Sequence, residues 1–333
     1  MKKTLARLTV VLLIAALLSG CSASPGGAVA SDPVETGGVI SESVEGGALK
    51  IPASVTFTDA LGRDLTVEPP RRVAALIGSF ADIWFLAGGE DTLAAATDDA
   101  WDSYGLELGE DVANLGSSHE VSLELLLAAE PDFVLASAML QSHLELQNTL
   151  EQAGIPIAYF DVQVLSDYLD MLDLCTRLTG HIENYELYGI RVKEQSLSAL
   201  ARIDGPAPTV LCLRATGASV RVKGSDGTVL GEMLAELGCV NVADGDGSSL
   251  LDDLSLETIM AADPDYIFAV MMGDQSNAQA TLEESLLFNP AWQSLRAMRE
   301  GHFYTMDHTL YNQKPNARWG EAYEGLVDIL YPN

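Results

Sequence analysis

Positive charge is scarce in this chain. Against 48 Asp and Glu there are 18 Lys and Arg, a formal net charge of −30 over 333 residues. No Lys or Arg at all falls between Val73 and Thr176. So acidic a surface repels phosphate backbones and anionic headgroups, which excludes a nucleic-acid partner and excludes lying flat on a membrane. Cysteine is scarce too. After Cys21 only Cys175, Cys212 and Cys239 remain, and an odd number at irregular spacing builds neither a disulfide framework nor a zinc site. Cys212 and Cys239 could be neighbours on adjacent strands, but free buried thiols are the simpler reading. The histidines His119, His143, His181, His302 and His308 show no metal-ligand spacing. G-x-S-x-G, H-E-x-x-H, the P-loop and a G-x-G-x-x-G that opens a helix are all missing. An enzyme is therefore not the first reading, and no cofactor or resident metal is implied. The apolar run Leu8–Leu18 is well short of the roughly 20 residues that a membrane-spanning helix needs.

What is present at the N-terminus is a basic start, Lys2, Lys3 and Arg7, ahead of that short apolar run. This is the pattern of a secretory signal. Its end, Leu18-Ser19-Gly20-Cys21, resembles a lipoprotein signal, in which Cys21 becomes the lipidated first residue. Removing three positive charges takes the mature chain from −30 to near −33. Two or more acyl chains on Cys21 would suffice for stable anchoring. Residues 1–20 are thus expected to be a signal peptide, and 21–50 a lipidated Cys followed by a disordered Gly-, Ser- and Ala-rich tether. The random-coil span of that tether is about 30 Å. The folded body begins at Ile51.

The chain repeats itself once. Ser122–Ala136 reads SLELLLAAEPDFVLA and Ser255–Ala269 reads SLETIMAADPDYIFA, with eight of fifteen positions identical. Two copies are too few for a solenoid and point instead to two lobes of similar build. Glu124 and Glu257 occupy the same place in each copy. One matched carboxylate per lobe suggests a ligand clamp that a second protein reads. The competing explanation is local: a carboxylate in the first turn of a helix gains about 0.3–1 kcal/mol from the dipole. That accounts for one glutamate more easily than for the same one in both lobes.

Strand and helix patterns alternate. Arg72–Ile77 reads as a strand, Ser79–Ala87 a helix, Leu93–Ala96 a strand, Ser122–Ala129 a helix with Ser122 as N-cap, and Asp132–Ala136 a strand. His143–Ala153 is a helix ended by Gly154, and Pro156–Phe160 a strand. The second half repeats the theme, with strands Thr209–Leu213, Val240–Val242 and Tyr266–Val270 and helices Val229–Leu237 and Ser255–Ala262. Such alternation implies an α/β fold of parallel sheets covered by helices. Ser166–Ile203 shows no strand; Gly180 divides it, and the second helix, about His181–Arg202, would run near 33 Å. The expected domains are an N-terminal α/β lobe at 51–165, connecting helices at 166–204 and a C-terminal α/β lobe at 205–333.

Asp59-x-x-Gly62-Arg63, Arg72-Val73-Ala74-Ala75-Leu76, both S-L-E-x-x-x-A-x-x-P-D segments and Asn289-Pro290-Ala291-Trp292 occur in that order. With the lipoprotein-like start and the interlobe helix, the chain resembles the substrate-binding proteins of ABC importers for iron–siderophore complexes, cobalamin and haem. The resemblance covers nearly all of Val55–Pro332. It implies a class III substrate-binding fold: two lobes, a single long helix joining them, and ligand in the cleft. It further implies a lipid-anchored monomer outside the cell membrane that delivers its cargo to an ABC permease with its ATPase. In that family a glutamate in each lobe pairs with permease arginines; the matching positions are Glu124 and Glu257.

In open parallel sheets the ligand lies beyond the carboxyl ends of the strands. Five of the seven Lys and Arg after Gly205 fall in two loops so placed: Arg214, Arg221, Lys223, Lys314 and Arg318. In so acidic a chain they suit an anionic ligand, a ferric siderophore before haem or cobalamin. The alternative is a patch that pairs with local carboxylates. Trp101, Tyr104 and Tyr311 offer flat apolar contact, and Met139 and Met271 end strands. Trp292 and Trp319 are as readily core. Among the histidines, His119 and His143 are the best placed to reach a ligand. Asp244-Gly-Asp246-Gly-Ser248 reads as a turn rather than a calcium loop. The rival classes are a surface enzyme or chelatase acting on a metal or tetrapyrrole in the same cleft, and an adhesion module with no deep cleft.

Overall fold

A computed structural model describes residues 53–247 and 256–332. Cys21, the expected signal peptide and tether, the second repeat's Ser255 and the end of the Asp244–Ser248 run lie outside the described residues.

The first sheet holds β3 (Val73–Ala75), β4 (Leu93–Ala96), β5 (Ala113–Asn114), β6 (Phe133–Ser137) and β7 (Ile157–Phe160) in the order β5-β4-β3-β6-β7, all parallel. Every residue of β3, β4, β6 and β7 is buried, as expected where helices cover both faces. A hairpin of β1 (Val55–Thr58) and β2 (Asp64–Val67) precedes it. Its turn is the Asp59-x-x-Gly62-Arg63 motif. The Asp59 carboxylate accepts from the amides of Leu61 and Arg63 and from the Arg63 guanidinium, while Gly62 takes φ +76°. Arg63 also donates to the Ile157 carbonyl and the Ala60 amide to that of Tyr159, tying the hairpin to edge strand β7.

The second sheet holds β8 (Thr209–Ala215), β10 (Val240–Asn241), β11 (Tyr266–Met271) and β12 (Phe303–Met306), parallel in the order β10-β8-β11-β12. It is not purely parallel, as the strand–helix alternation alone would have it. β9 (Val220–Lys223) runs antiparallel against the end of β8, because the short Thr216–Ser219 loop leaves no room for a crossover helix.

Between the sheets Leu165–Thr179 ends at Gly180, whose φ of 82° is the left-handed stop that glycine supplies. A continuous helical rod then runs from Glu183 to Leu200, about 27 Å by rise and shorter than the sequence pattern promised. Its Glu186–Ile190 turn is a π-turn. Gly189 there lets the Tyr185 ring approach where a Cβ would sit at 2.8 Å, and the Tyr188 carbonyl accepts from the Tyr168 hydroxyl at 2.8 Å. The C-terminal helix Trp319–Leu330 packs on this rod, with Gln195 bonded to Glu324 and Arg202 to Asp328.

The apolar residues sort by sheet face. Val73 and Ala75 of the first sheet, and Val210, Cys212, Phe268 and Val270 of the second, join one continuous core with both interlobe helices and Trp319. Ala74 and Val134 on one outer face, and Leu211, Leu213 and Ala269 on the other, form separate clusters. The lobes therefore share a core through the helical spine. A shared close-packed core resists wide hinge motion, which favours small closure.

Candidate functional site

The carboxyl ends of both sheets face a seam between the lobes. Segment 309–318 of the C-terminal half crosses it. The Tyr104 hydroxyl donates to the Lys314 carbonyl at 3.1 Å, and Lys314 Nζ reaches Gln163 Oε1 at 3.4 Å. Asn316 is wholly buried with φ +49°, and its amide donates to the Ser79 carbonyl at 3.0 Å and to Asp82 Oδ2 at 2.7 Å. Asn tolerates this backbone region better than most residues, which was the one sequence sign of its role. A cavity of about 240 Å³ lies here, lined among others by Asp82, Tyr104, Lys314 and Arg318. Burial pushes the Asp82 carboxyl up to about 6, against the Asn316 bond, which lowers it. Desolvation likewise raises the Tyr104 phenol, with the Asp82 charge adding to it.

The basic residues separate into three kinds. Arg318 is committed: it holds Glu321 at 2.7 Å, one helical turn on, and Thr309 at 3.2 Å. Arg221 and Lys223 lie on β9 opposite Arg214 and Cys212 and are engaged in interactions of their own. Arg214 and Lys314 differ. Both are half-buried, and among the described residues neither forms an ion pair. Desolvation lowers both; for Lys314 the Asp161 charge opposes this, the Arg214 charge adds to it more weakly, and Asp167 opposes it again. Two desolvated cations without an ion pair are groups that an anion could satisfy. Asp161, Gln163 and Asp167 complete the surroundings of Lys314. No sequence motif marks them.

Several residues proposed from sequence are committed to contacts of the protein itself. Tyr311 is 5% exposed and its hydroxyl donates to the Ala322 carbonyl at 3.0 Å, so it braces the C-terminal helix. Met271 packs against the outer core of the second sheet, because its alternation along β11 turns it away from the shared core. His143 is buried, accepts from the Ser137 amide at 3.1 Å and donates to the Ser118 carbonyl at 2.8 Å. Desolvation drops it to about 4, so it is a neutral pin for the 116–119 loop, with neither ring nitrogen left for a ligand. Trp292 and Trp319 are core. Met139 is 62% exposed at the end of β6, and Trp101 is half-buried against the shared core. Cys175, Cys212 and Cys239 are free thiols, all pushed up by desolvation. Asp244 accepts from the Ser225 amide at 2.8 Å. Among the described residues no His, Cys, Asp and Glu group could hold a metal ion, and no helix is long and apolar enough to cross a membrane.

Glu124 and Glu257 are exposed in the first turns of the helices Leu123–Ala128 and Leu256–Ala262. Ser122 caps the first, accepting from the Leu125 amide at 3.3 Å.

A family model described as "Periplasmic binding protein" matches residues 73–310. The chain is 22% identical over 326 residues to a putative ABC transporter substrate-binding lipoprotein, YhfQ, of Bacillus subtilis, covering 94% of this chain and 93% of that one. It is 24% identical over 319 residues to the Fe(3+)-citrate-binding protein YfmC of the same organism, covering 93% and 91%. Among solved structures it is similar to the periplasmic heme-binding protein RhuT from Roseiflexus sp. RS-1, with a TM-score of 0.63, 22% identity, and 78% and 98% of the chains covered.

Proposed function

This chain belongs to the periplasmic binding protein family, and on that premise we propose that it captures an anionic metal chelate outside the cell and hands it to an ABC permease. Members of the family are substrate-binding proteins that work with a permease and an ATPase, and the two-lobed, helix-joined fold is of the class III kind. The cargo we assign is a ferric siderophore or a comparable acidic iron chelate, ahead of haem and cobalamin. One observation carries this assignment: Arg214 and Lys314 are both half-buried and desolvated, and among the described residues neither forms an ion pair. An acidic chelate supplies the missing charge. Arg214 offers a planar fork for a carboxylate and Lys314 a point charge. A relative named for ferric citrate supports the same chemistry.

Met139, Trp101 and Tyr104 would give the apolar body of the chelate a surface, and Arg221 and Lys223 would extend the positive field. Lys314 lines the 240 Å³ cavity and Arg214 does not, so a chelate held by both would extend beyond it and displace the Lys314–Gln163 contact. We place the protein on the outer face of the membrane as a monomer, held by acylated Cys21 after removal of residues 1–20. The 21–50 tether would let lobes 51–165 and 205–333, joined by 166–204, reach the permease. Glu124 and Glu257 would meet basic residues there.

The test is a titration of the purified protein with ferric citrate, ferric hydroxamate and catecholate siderophores, haem and cobalamin, following tryptophan fluorescence and thermal shift together. Saturable binding of an acidic ferric chelate is expected, adding about 2.7 kcal/mol of stability at 100 times its dissociation constant. Binding of cobalamin with no response to any acidic chelate would overturn the assignment.

A further inference from the structure

The repeated helices carry more than a glutamate each. Their inward residues match: Leu126 is 0% and Ile259 2% exposed. So do their outward ones. At about 100° per residue, positions one and three after the glutamate flank it on either side. Glu124 is thus flanked by Leu125 and Leu127, and Glu257 by Thr258 and Met260. Leu125 is 45%, Leu127 38% and Met260 36% exposed. One exposed leucine needs no explanation. An apolar side chain at the same place in both lobes, each beside a carboxylate with no ion pair among the described residues, does.

Resting on the docking reading above, we infer that these apolar flanks form the adhesive part of the permease-docking surface, and that the N-terminal lobe grips harder. The occupant is a permease surface that offers each lobe a basic residue next to an apolar contact. An anionic lipid surface is disfavoured by the glutamates and by the −30 net charge. A second copy would set glutamate against glutamate. An exposed ion pair contributes little net binding energy, because water and salt screen it. The glutamates therefore steer and orient, while buried apolar contact sets how long the complex lasts. The flanks are unequal: two leucines in one lobe, a threonine and a methionine in the other. That inequality gives the interface a dominant half.

Binding of the full-length protein to the permease–ATPase complex in nanodiscs tests this, with four proteins compared: wild type, L125S/L127S, M260S and E124A/E257A. Ligand affinity and melting temperature are recorded for each. L125S/L127S should weaken docking tenfold or more, chiefly through a faster off-rate. M260S should weaken it a few-fold, and E124A/E257A should slow association and flatten its salt dependence. Ligand affinity should not move. If melting shows that L125S/L127S folds poorly, the single variants L125Q and L127Q serve, each expected to lose a few-fold. Wild-type docking by the leucine variants alongside weakened docking by E124A/E257A overturns the inference and leaves the docking reading standing. Unchanged docking by all variants removes both. A larger loss from M260S than from the leucine pair overturns the dominance of the N-terminal lobe.

Discussion

In the first repeat the aspartate after the helix, Asp132, accepts from the backbone amides of Arg71 and Arg72 just ahead of β3. In the second, Asp265 accepts from the amide and hydroxyl of Thr209 at the head of β8 and also holds Arg296 at 2.6 Å. The residue two before each aspartate, Glu130 or Asp263, turns left-handed, with φ of 49° and 42°. The helix's exposed carbonyls then need donors. In the first lobe Arg72, which precedes its strand, supplies them to Ala129 and Glu130. In the second Arg296, from a later helix, reaches the Asp263 carbonyl at 3.1 Å. The same segment thus makes the same demands twice and is answered from two different parts of the chain. Both copies share the helix, the left-handed turn and the strand clamp; their braces differ.

Leu126→Ala and Ile259→Ala each remove a fully buried side chain at equivalent positions, so each should cost about 2–5 kcal/mol in denaturant unfolding. A large loss in one lobe and none in the other would mean that the copies are not equivalent in packing.

Next in size is a residue that belongs to neither copy. Asp82 sits at the seam with its carboxyl raised to about 6 from 3.8. A raised carboxyl contributes stability that is fully present below the unfolded value and lost as pH rises through the folded one. Asp82→Asn keeps an acceptor for Asn316 and removes the buried charge. It should therefore stabilise the protein at pH 7, by on the order of 3 kcal/mol at about 1.4 kcal/mol per pH unit, and do little near pH 4. Equal effects at both pH values would refute the buried-charge account.

Hydrogen bonds to a charged acceptor contribute about 1.5–3 kcal/mol, so Asp132→Ala and Asp265→Ala should each cost roughly that. Asp265 works against desolvation, which raises its carboxyl, but Thr209 and Arg296 bring it below 3.8. Its contribution is present above that value and lost as pH falls below it. Asp265→Ala should accordingly flatten the acid limb of the stability curve; an unaltered limb would assign acid sensitivity to other carboxylates. The smallest effect is that of Ser122→Ala, about 1 kcal/mol for a lost N-cap, visible as a few degrees in melting temperature.

Much of the fold could be read from the sequence because its signals are local. The strand–helix alternation, the Ser122 cap, the Gly180 stop and the repeat all act within a few residues of where they are written. The β9 hairpin and β12 were not read, because short strands acquire their meaning only from the partner they pair with. The site was legible in part. That cations gather in two loops is a matter of spacing. Which of them lack a counter-ion depends on who folds beside whom: Arg318 is answered by Glu321 a turn away, Arg214 by no carboxylate among the described residues. The packing of Tyr311, Met271 and His143 is hidden from the sequence for the same reason. Their burial comes from the C-terminal helix, the sheet's outer face and the 116–119 loop, and none of these contacts is encoded next to them in sequence.

An acidic chelate held at the seam by Arg214 and Lys314 would depend on both charges. Isothermal titration of the tightest acidic ferric chelate into wild-type protein and into R214Q/K314Q, at two salt concentrations, tests this dependence most directly. The account predicts at least a hundredfold weaker binding by the double variant, a reduced salt dependence and an intact melting transition. Wild-type affinity in the double variant would contradict it.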